Sequence, residues 1–225
     1  MVGEYYHVYN RGSDKRNIFL SNRDRDRFLK LLYFANGTKP LHFADLPRGF
    51  PSWQWWQTDR GELLTSVGAF CLMPNHFHIL IREKTEKGIS KFMLKLTTAY
   101  SMYFNTKHDR SGNLFQGAFK ATPIDNDNHL RYLFAYIHLN PIKLFDSKWK
   151  ELGIKDKKGA QNYLKNYHFS SYHEYLGEQR PGHQAILNPT DFPEYFEEPK
   201  EFDDFIVDWL SYNDHEGSPR GLETV

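Results

Sequence analysis

Cys71-Leu72-Met73-Pro74-Asn75-His76-Phe77-His78-Ile79-Leu80-Ile81 is the stretch on which the reading of this chain turns. Apolar β-formers flank both histidines, so the segment reads as strand, with Pro74-Asn75 either kinking one strand or opening the next. Side chains two apart on a strand share a face. His76 and His78 therefore present two imidazoles side by side, while Phe77 and Ile79 point into a core. Paired imidazoles on a rigid strand make half of a divalent-metal site. A bare His-x-His is also compatible with two solvated, hydrogen-bonded neighbours, so the partners must come from elsewhere in the chain.

Working outward, the segments before and after this stretch alternate between the two common periods. Glu4 to Asn10 alternates as a first strand and ends in the turn Asn10-Arg11-Gly12-Ser13. Ser21 or Asn22 caps a helix through Phe28, Leu31, Leu32 and Ala35, closed by Asn36-Gly37. Residues 37–60, with Pro40, Pro47, Pro51, Trp53, Trp55 and Trp56, read as a loop packed down by its own aromatics. Leu63 to Met73 is a second strand. Residues 88–108 give the clearest helix, with Ile89, Phe92, Met93, Leu96, Tyr100 and Phe104 on one stripe. Leu114 to Ile124 reads as a strand, and Asp125-Asn126-Asp127 as caps for a helix that Pro141 ends or kinks. Residues 142–178 read as short helices, and Phe202, Phe205, Ile206, Trp209 and Leu210 as one amphipathic helix.

Strand–helix–strand–strand–helix–strand is a split β-α-β order. It predicts an α+β fold, a ferredoxin-like antiparallel sheet with helices on one face, followed by a helical C-terminal extension. The expected division is a body over 1–178, with an insertion at about 37–60, and an acidic extension over 179–225.

The bulk composition narrows the function classes. At 225 residues, 40% hydrophobic and 25% charged, the chain is long enough for one sizeable core. No apolar run has the length of a membrane span, and the first residues lack a secretory pattern. One cysteine, Cys71, excludes an internal disulfide framework and fits a reducing cytoplasm. The net charge of +1 conceals an uneven spread: residues 179–225 carry 3 Lys+Arg against 11 Asp+Glu, leaving 26 against 17 for residues 1–178. A basic body with an acidic tail suggests a polyanion-binding surface.

The second half of the candidate site falls on the helix after Asn126. Tyr132, Tyr136 and Asn140 are spaced by four and share a face, with His129 near it. A phenol has an unperturbed pKa near ~10 and needs help to act as a nucleophile. A divalent cation supplies such help by polarising an acceptor phosphate, and the Asn140 amide oxygen can complete its ligand set. The same face also fits a row of tyrosines packed on a sheet, with Asn140 serving only as a cap before Pro141.

Met73-Pro74-Asn75-His76-Phe77-His78, followed by Ala135-Tyr136-Ile137-His138-Leu139-Asn140-Pro141-Ile142-Lys143, resembles the HUH single-tyrosine transposases, in particular the REP-associated branch of the IS200-like superfamily. His7-Val8-Tyr9-Asn10-Arg11-Gly12, Ser111 to Lys120 and Phe169-Ser170-Ser171-Tyr172 extend the likeness over roughly residues 4–176. The resemblance implies a cytoplasmic, nucleoid-associated bacterial enzyme that nicks and rejoins single-stranded DNA at hairpin or repeat ends. It implies Mg²⁺ or Mn²⁺ held by His76, His78 and Asn140, and Tyr136 as the nucleophile of a 5′-phosphotyrosine intermediate, with Tyr132 as its competitor. It also implies a homodimer in some relatives. Arg11, Lys15, Arg16, Lys91, Lys95, Arg110, Gln116 and Lys120 are the expected DNA contacts. No Walker-type phosphate loop is present, consistent with a transfer that conserves a phosphodiester and needs no nucleotide. Two other readings use the same residues: a domesticated hairpin-binding protein, and a His-x-His metal hydrolase in which water attacks.

Overall fold

The computed structural model describes residues 1–40 and 54–211. Pro47, Pro51 and Trp53 of the expected insertion, and the acidic residues after 211, lie outside them. Four antiparallel strands form one sheet: β1 (Tyr5–Arg11), β2 (Thr65–Met73), β3 (His76–Glu83) and β4 (Lys120–Ile124), in the order β2-β3-β1-β4. This is the ferredoxin-like order expected from the element sequence. Met73 pairs with His76, so Pro74-Asn75 is a two-residue hairpin turn that starts a new strand.

Two helices cover one face. α1 (Asn22–Ala35) begins in a capping box, where the Ser21 hydroxyl accepts from Asp24 N and the Asp24 carboxylate accepts from Ser21 N. α2 (Gly88–Lys107) packs along α1, and both bury their stripes against Val8, Phe70, Leu72, Phe77, Ile79 and Ile81. Asp24 also accepts from Lys107 and Tyr103, tying the start of α1 to the end of α2. Trp55 leans on Tyr33 and Phe34, so this part of the expected aromatic loop does pack inward.

The opposite face belongs to α3 (Asp127–Leu139), capped by Asn126, whose side chain accepts from His129 N. Leu130, Leu133, Phe134 and Ile137 meet Ala69, Cys71, Met73 and Leu80 from the sheet. The two strand faces thus serve two cores, one under α1 and α2 and one under α3. Short helices follow: α4 (Ile142–Phe145), α5 (Trp149–Leu152), α6 (Lys157–Asn166), α7 (Tyr172–Tyr175) and α8 (Pro181–Gln184), and then α9 (Pro199–Ser211).

The strand expected over Leu114 to Ile124 is shorter than its pattern. Only Lys120–Ile124 pairs with β1. Leu114 and Phe115 plug the α1/α2 core instead, and Gly117 at φ +79° turns the chain between them and β4.

The C-terminal residues are integral to the packing. Phe202, Ile206 and Leu210 are buried against Ala135, Leu139 and Tyr172, and Ile186 and Leu187 enter the α1/α2 core. The outer edge of β2 is closed by backbone bonds from Leu72 N to Phe169 O, Ser171 N to Phe70 O and Asn188 N to Val67 O. An exposed edge would offer unpaired groups for aggregation. Among the described residues no helix is long and apolar enough to cross a membrane.

Candidate active site

His76 and His78 stand on β3 facing α3, with ring centroids 4.9 Å apart. Each imidazole has one nitrogen engaged and one bare. His76 Nδ1 lies 2.6 Å from Asn75 Oδ1, and Asn75 is itself held by its amide donating to Lys15 O. That arrangement makes Asn75 Oδ1 the acceptor, puts the proton on His76 Nδ1, and leaves Nε2 with its lone pair. His78 Nδ1 lies 2.9 Å from His7 Nε2 on β1, and His78 Nε2 is buried with no partner. The adjacency of β1 and β3 creates this pair: the two strands run antiparallel with Tyr9 opposite His78, and His7 stacks on His78 at 5.0 Å.

Asn140 lies just past the end of α3. Its amide nitrogen donates to Tyr136 O at 2.9 Å, which fixes the group's orientation and leaves Oδ1 buried without a donor. The Tyr136 hydroxyl is also buried and unpartnered. The Tyr136 ring meets His78 at 5.4 Å and His7 at 5.8 Å, both edge-on. Tyr132 stacks on Tyr136 at 6.1 Å and packs against Trp209 of α9 at 5.2 Å.

Buried polar atoms without partners are rare, and each calls for a cause. Three of these atoms, His76 Nε2, His78 Nε2 and Asn140 Oδ1, are lone-pair donors suited to a hard or borderline divalent cation. The chemistry of the set therefore fits the implied metal. Among the described residues no cluster of three or more His, Cys, Asp or Glu is placed to hold one. The set here is two imidazoles and an amide.

The electrostatics suit the same role. Burial lowers His76 to about 3, helped by Lys143 and Arg11, and lowers His7 to about 3, helped by His129. Burial, with His76 and His7, holds His78 well below the ordinary imidazole range. All three rings are neutral at physiological pH, the form that ligates metal. Burial, and then Tyr132, push the Tyr136 phenol up from its ordinary value, so it keeps its proton in the metal-free protein.

The histidine of the Tyr136-Ile137-His138 run is structural. His138 Nδ1 donates to Phe134 O at 2.8 Å, and Nε2 accepts from the Ser171 hydroxyl at 2.7 Å. Ser171 in turn accepts from Phe70 N on β2. The Phe169 to Tyr172 motif thus pins α3 to the sheet. His129 faces Asp125 at 3.2 Å near the start of α3.

The expected DNA contacts divide into two groups. Arg11 lies on β1 opposite His76 with its Nε buried and unpartnered. Gln116 is exposed, and its backbone binds Arg11 O. Lys120 is exposed across from Tyr9, and Lys15 and Arg16 follow in the turn, Arg16 paired with Asp14 at 3.2 Å. Lys91, Lys95 and Arg110 belong to α2 or just after it, across the sheet from the histidines. Lys95 donates to Gly37 O and Lys39 O, and Arg110 to Asn105, so both have structural partners.

Sequence reasoning passed over four groups near this site. His7 and Asn75 orient the imidazoles. Lys143 and Lys150, beside Trp149, line a cleft of about 40 Å³ against Tyr136 and Asn140. His7, Asn75 and Lys143 all stand inside quoted motifs, so the signal was present without its role.

A solved structure described as "Structure of the REP associates tyrosine transposase bound to a REP hairpin" aligns with 86% of this chain and 87% of its own. The identity is 13% and the TM-score 0.49. No curated protein matches the chain. Residues 61–140, which run from β2 through His76, His78 and Tyr136 to Asn140, match the family model described as "Transposase IS200 like", and this bears out the resemblance read in the sequence to the single-tyrosine transposases.

Proposed function

We propose that the chain is a metal-dependent single-stranded DNA nickase and strand transferase acting at hairpin or repeat ends, with Tyr136 as nucleophile. One observation carries this reading: among the described residues, the buried acceptors His76 Nε2, His78 Nε2 and Asn140 Oδ1 and the buried Tyr136 hydroxyl all lack hydrogen-bond partners, and they sit on residues linked by contact, His76 to His78, His78 to Tyr136 and Tyr136 to Asn140. His76, His78 and Asn140 would hold Mg²⁺ or Mn²⁺. Bound there, the cation supplies Lewis-acid polarisation of a phosphate oxygen.

The protein's own groups do the rest. Asn75 and His7 keep the bare nitrogens aimed inward. The Tyr136 oxygen attacks phosphorus, the P–O3′ bond breaks, and a 5′-phosphotyrosine bond forms. The phenol proton passes to solvent, and the released O3′ takes up a proton. One phosphodiester is exchanged for another, so reversal rejoins a strand without an outside energy source. Tyr136 is preferred to Tyr132 because its ring meets His78 and His7, whereas Tyr132 is packed against Trp209. Arg11, Lys15, Arg16, Gln116 and Lys120 flank the His76 end of the sheet and are the better candidates for backbone contacts. Phosphate contacts of this kind position a strand without reading it.

The test uses labelled hairpin DNA with Mn²⁺ or Mg²⁺ and denaturing electrophoresis. A metal-dependent protein–DNA adduct is expected in wild type and Tyr132→Phe, and none in Tyr136→Phe or His76→Ala. Cleavage without an adduct would establish the hydrolase. Tight binding with neither would establish a hairpin-binding protein.

A further inference from the structure

A row of ring contacts runs from the end of α4 to the β2–β3 hairpin. Phe145 of α4 meets Tyr163 of α6 at 5.6 Å, Tyr163 stacks on Tyr167 at 6.2 Å, and Tyr167 meets Phe169 at 6.3 Å. The Arg25 guanidinium closes the row, 5.0 Å over the Phe169 ring and 5.8 Å over Phe19. The period of α6 sets this out. Ala160 and Leu164, four apart, fasten the helix to the core, and Tyr163 and Tyr167, also four apart, share the neighbouring face.

The two ends of the row differ. Tyr167 donates to Leu72 O of β2 and Phe169 packs on the α1/α2 core, so that end is fixed. Burial raises the Tyr163 and Tyr167 phenols, and the Arg25 charge opposes that rise in both, so the guanidinium lies beside both hydroxyls. Phe145, by contrast, is 40% exposed and Tyr163 half-buried, and among the described residues neither ring enters any of the three cores.

The row flanks the candidate active site. Phe145 stands two residues beyond Lys143, which lines the Tyr136 cleft, and Leu72 precedes Met73, the partner of His76. Residues 148–168 carry six lysines and two carboxylates, a balance of +4, so the row lies in a basic stretch of chain even though Lys165 is paired with Asp203. Open rings in a basic surface fit single-stranded nucleic acid, because every base has a flat π face and an unpaired base leaves it free.

We infer that Phe145 and Tyr163 form a stacking platform for unpaired bases of the strand that enters the site at Tyr136, with Tyr167, Phe169 and Arg25 as its backing. This inference rests on the nickase reading for the choice of DNA as ligand. Stacking uses the π face and not the hydrogen-bonding edge, so the platform tolerates any base sequence. It grips the strand by its bases on the flank of the site and leaves the phosphates to the residues around Tyr136.

The experiment uses the full chain carrying Tyr136→Phe, so that no chemistry occurs, and a fluorescein-labelled single-stranded 20-mer of mixed sequence in EDTA. Phe145→Leu and Tyr163→Leu keep apolar bulk and remove the ring. Each is expected to weaken binding about 5- to 150-fold, the equivalent of about 1–3 kcal/mol for one lost base stack. The salt dependence should keep its slope, because no phosphate contact is lost. Phe145→Trp should bind at least as tightly as the parent, and the oligonucleotide should quench its added indole emission. Thermal melts confirm that each variant is folded. A ring that only packed α4 against α6 would give neither the rescue by tryptophan nor the quenching.

Affinity within about twofold of the parent in both leucine variants would overturn the platform, even where wild type forms its adduct normally. A parent that binds no oligonucleotide, or a loss that Phe145→Trp shares, would overturn it too. Loss in the leucine variants at an unchanged slope would uphold the platform, even where wild type forms no adduct and the nickase reading falls.

Discussion

Replacing His7 tests how the metal-binding imidazoles are prepared. His7 and His78 are 1% and 0% exposed, and their nitrogens lie 2.9 Å apart. For His78 Nε2 to offer a lone pair, its proton must sit on Nδ1 and be donated to His7 Nε2. In His7→Ala that buried donor loses its acceptor, at a cost of about 1–3 kcal/mol. Alternatively His78 shifts its proton to Nε2, which blocks the ligand position until the same cost is met. The free protein escapes the stranded donor by this proton shift and the metal-bound state does not, so binding loses about 1–3 kcal/mol, or roughly 5- to 150-fold in affinity. That range overlaps the ~10–100-fold typical of partners that orient a ligand.

The assay is calorimetric titration with Mn²⁺ at pH 7.5, with a thermal melt to confirm folding and nitrogen NMR to read the His78 tautomer. His7→Gln, which restores an amide oxygen as acceptor, should recover much of the loss. A folded His7→Ala protein that binds Mn²⁺ within about twofold of wild type would refute the reasoning.

Three further outcomes follow from the packing. Folded-state pKa values of about 3 for His7 and His76 and about 4 for His138 lie below the ordinary value of 6.5, chiefly through burial. The unfolded chain therefore takes up protons first, so these residues' contribution is full above pH 6.5 and is lost as pH falls toward 4. Each costs about 1.4 kcal/mol per pH unit in that window, and urea melts that stay flat from pH 7 to 5 would contradict this. Phe202→Ala in α9 should cost about 3–5 kcal/mol by chemical denaturation, because its ring is fully buried among Tyr172, Tyr175, His138 and Phe196. A loss under 1 kcal/mol would mean that α9 does not belong to the core. Ser171→Ala should cost about 1–3 kcal/mol, since it strands His138 Nε2 and Phe70 N; an unchanged urea midpoint would count against the bridge between α3 and β2.

Much of the fold was legible because its signals are local. The alternation of Tyr5 to Asn10, the caps at Ser21 and Asn126, and the stripe from Ile89 to Phe104 each specify an element within one short window. The Leu114 to Phe119 stretch misled because its apolar residues run straight into those of a true strand, while its backbone turns at Gly117. At the candidate site, strand and helix periods put His76 with His78, and Tyr132 with Tyr136 and Asn140, on shared faces, and only the family resemblance set Tyr136 apart from Tyr132. His7 was not legible, since its role exists only once β1 is paired with β3, about 70 residues away. Lys143 and Trp149 sit on one-turn helices that have no period to read.

The place of β1 between β3 and β4 also has a consequence in time. His7 is made before its neighbour His78, which follows some 70 residues later, and Tyr136 and Asn140 come later still. At about 5–20 residues per second, the ribosome needs on the order of ten seconds to deliver the whole set. During that interval the nascent chain holds the site's imidazoles without the Tyr136 phenol. The proposed strand-breaking chemistry is therefore silent in any product that ends before Tyr136, and a chain stalled before α3 carries the histidines but not the proposed nucleophile.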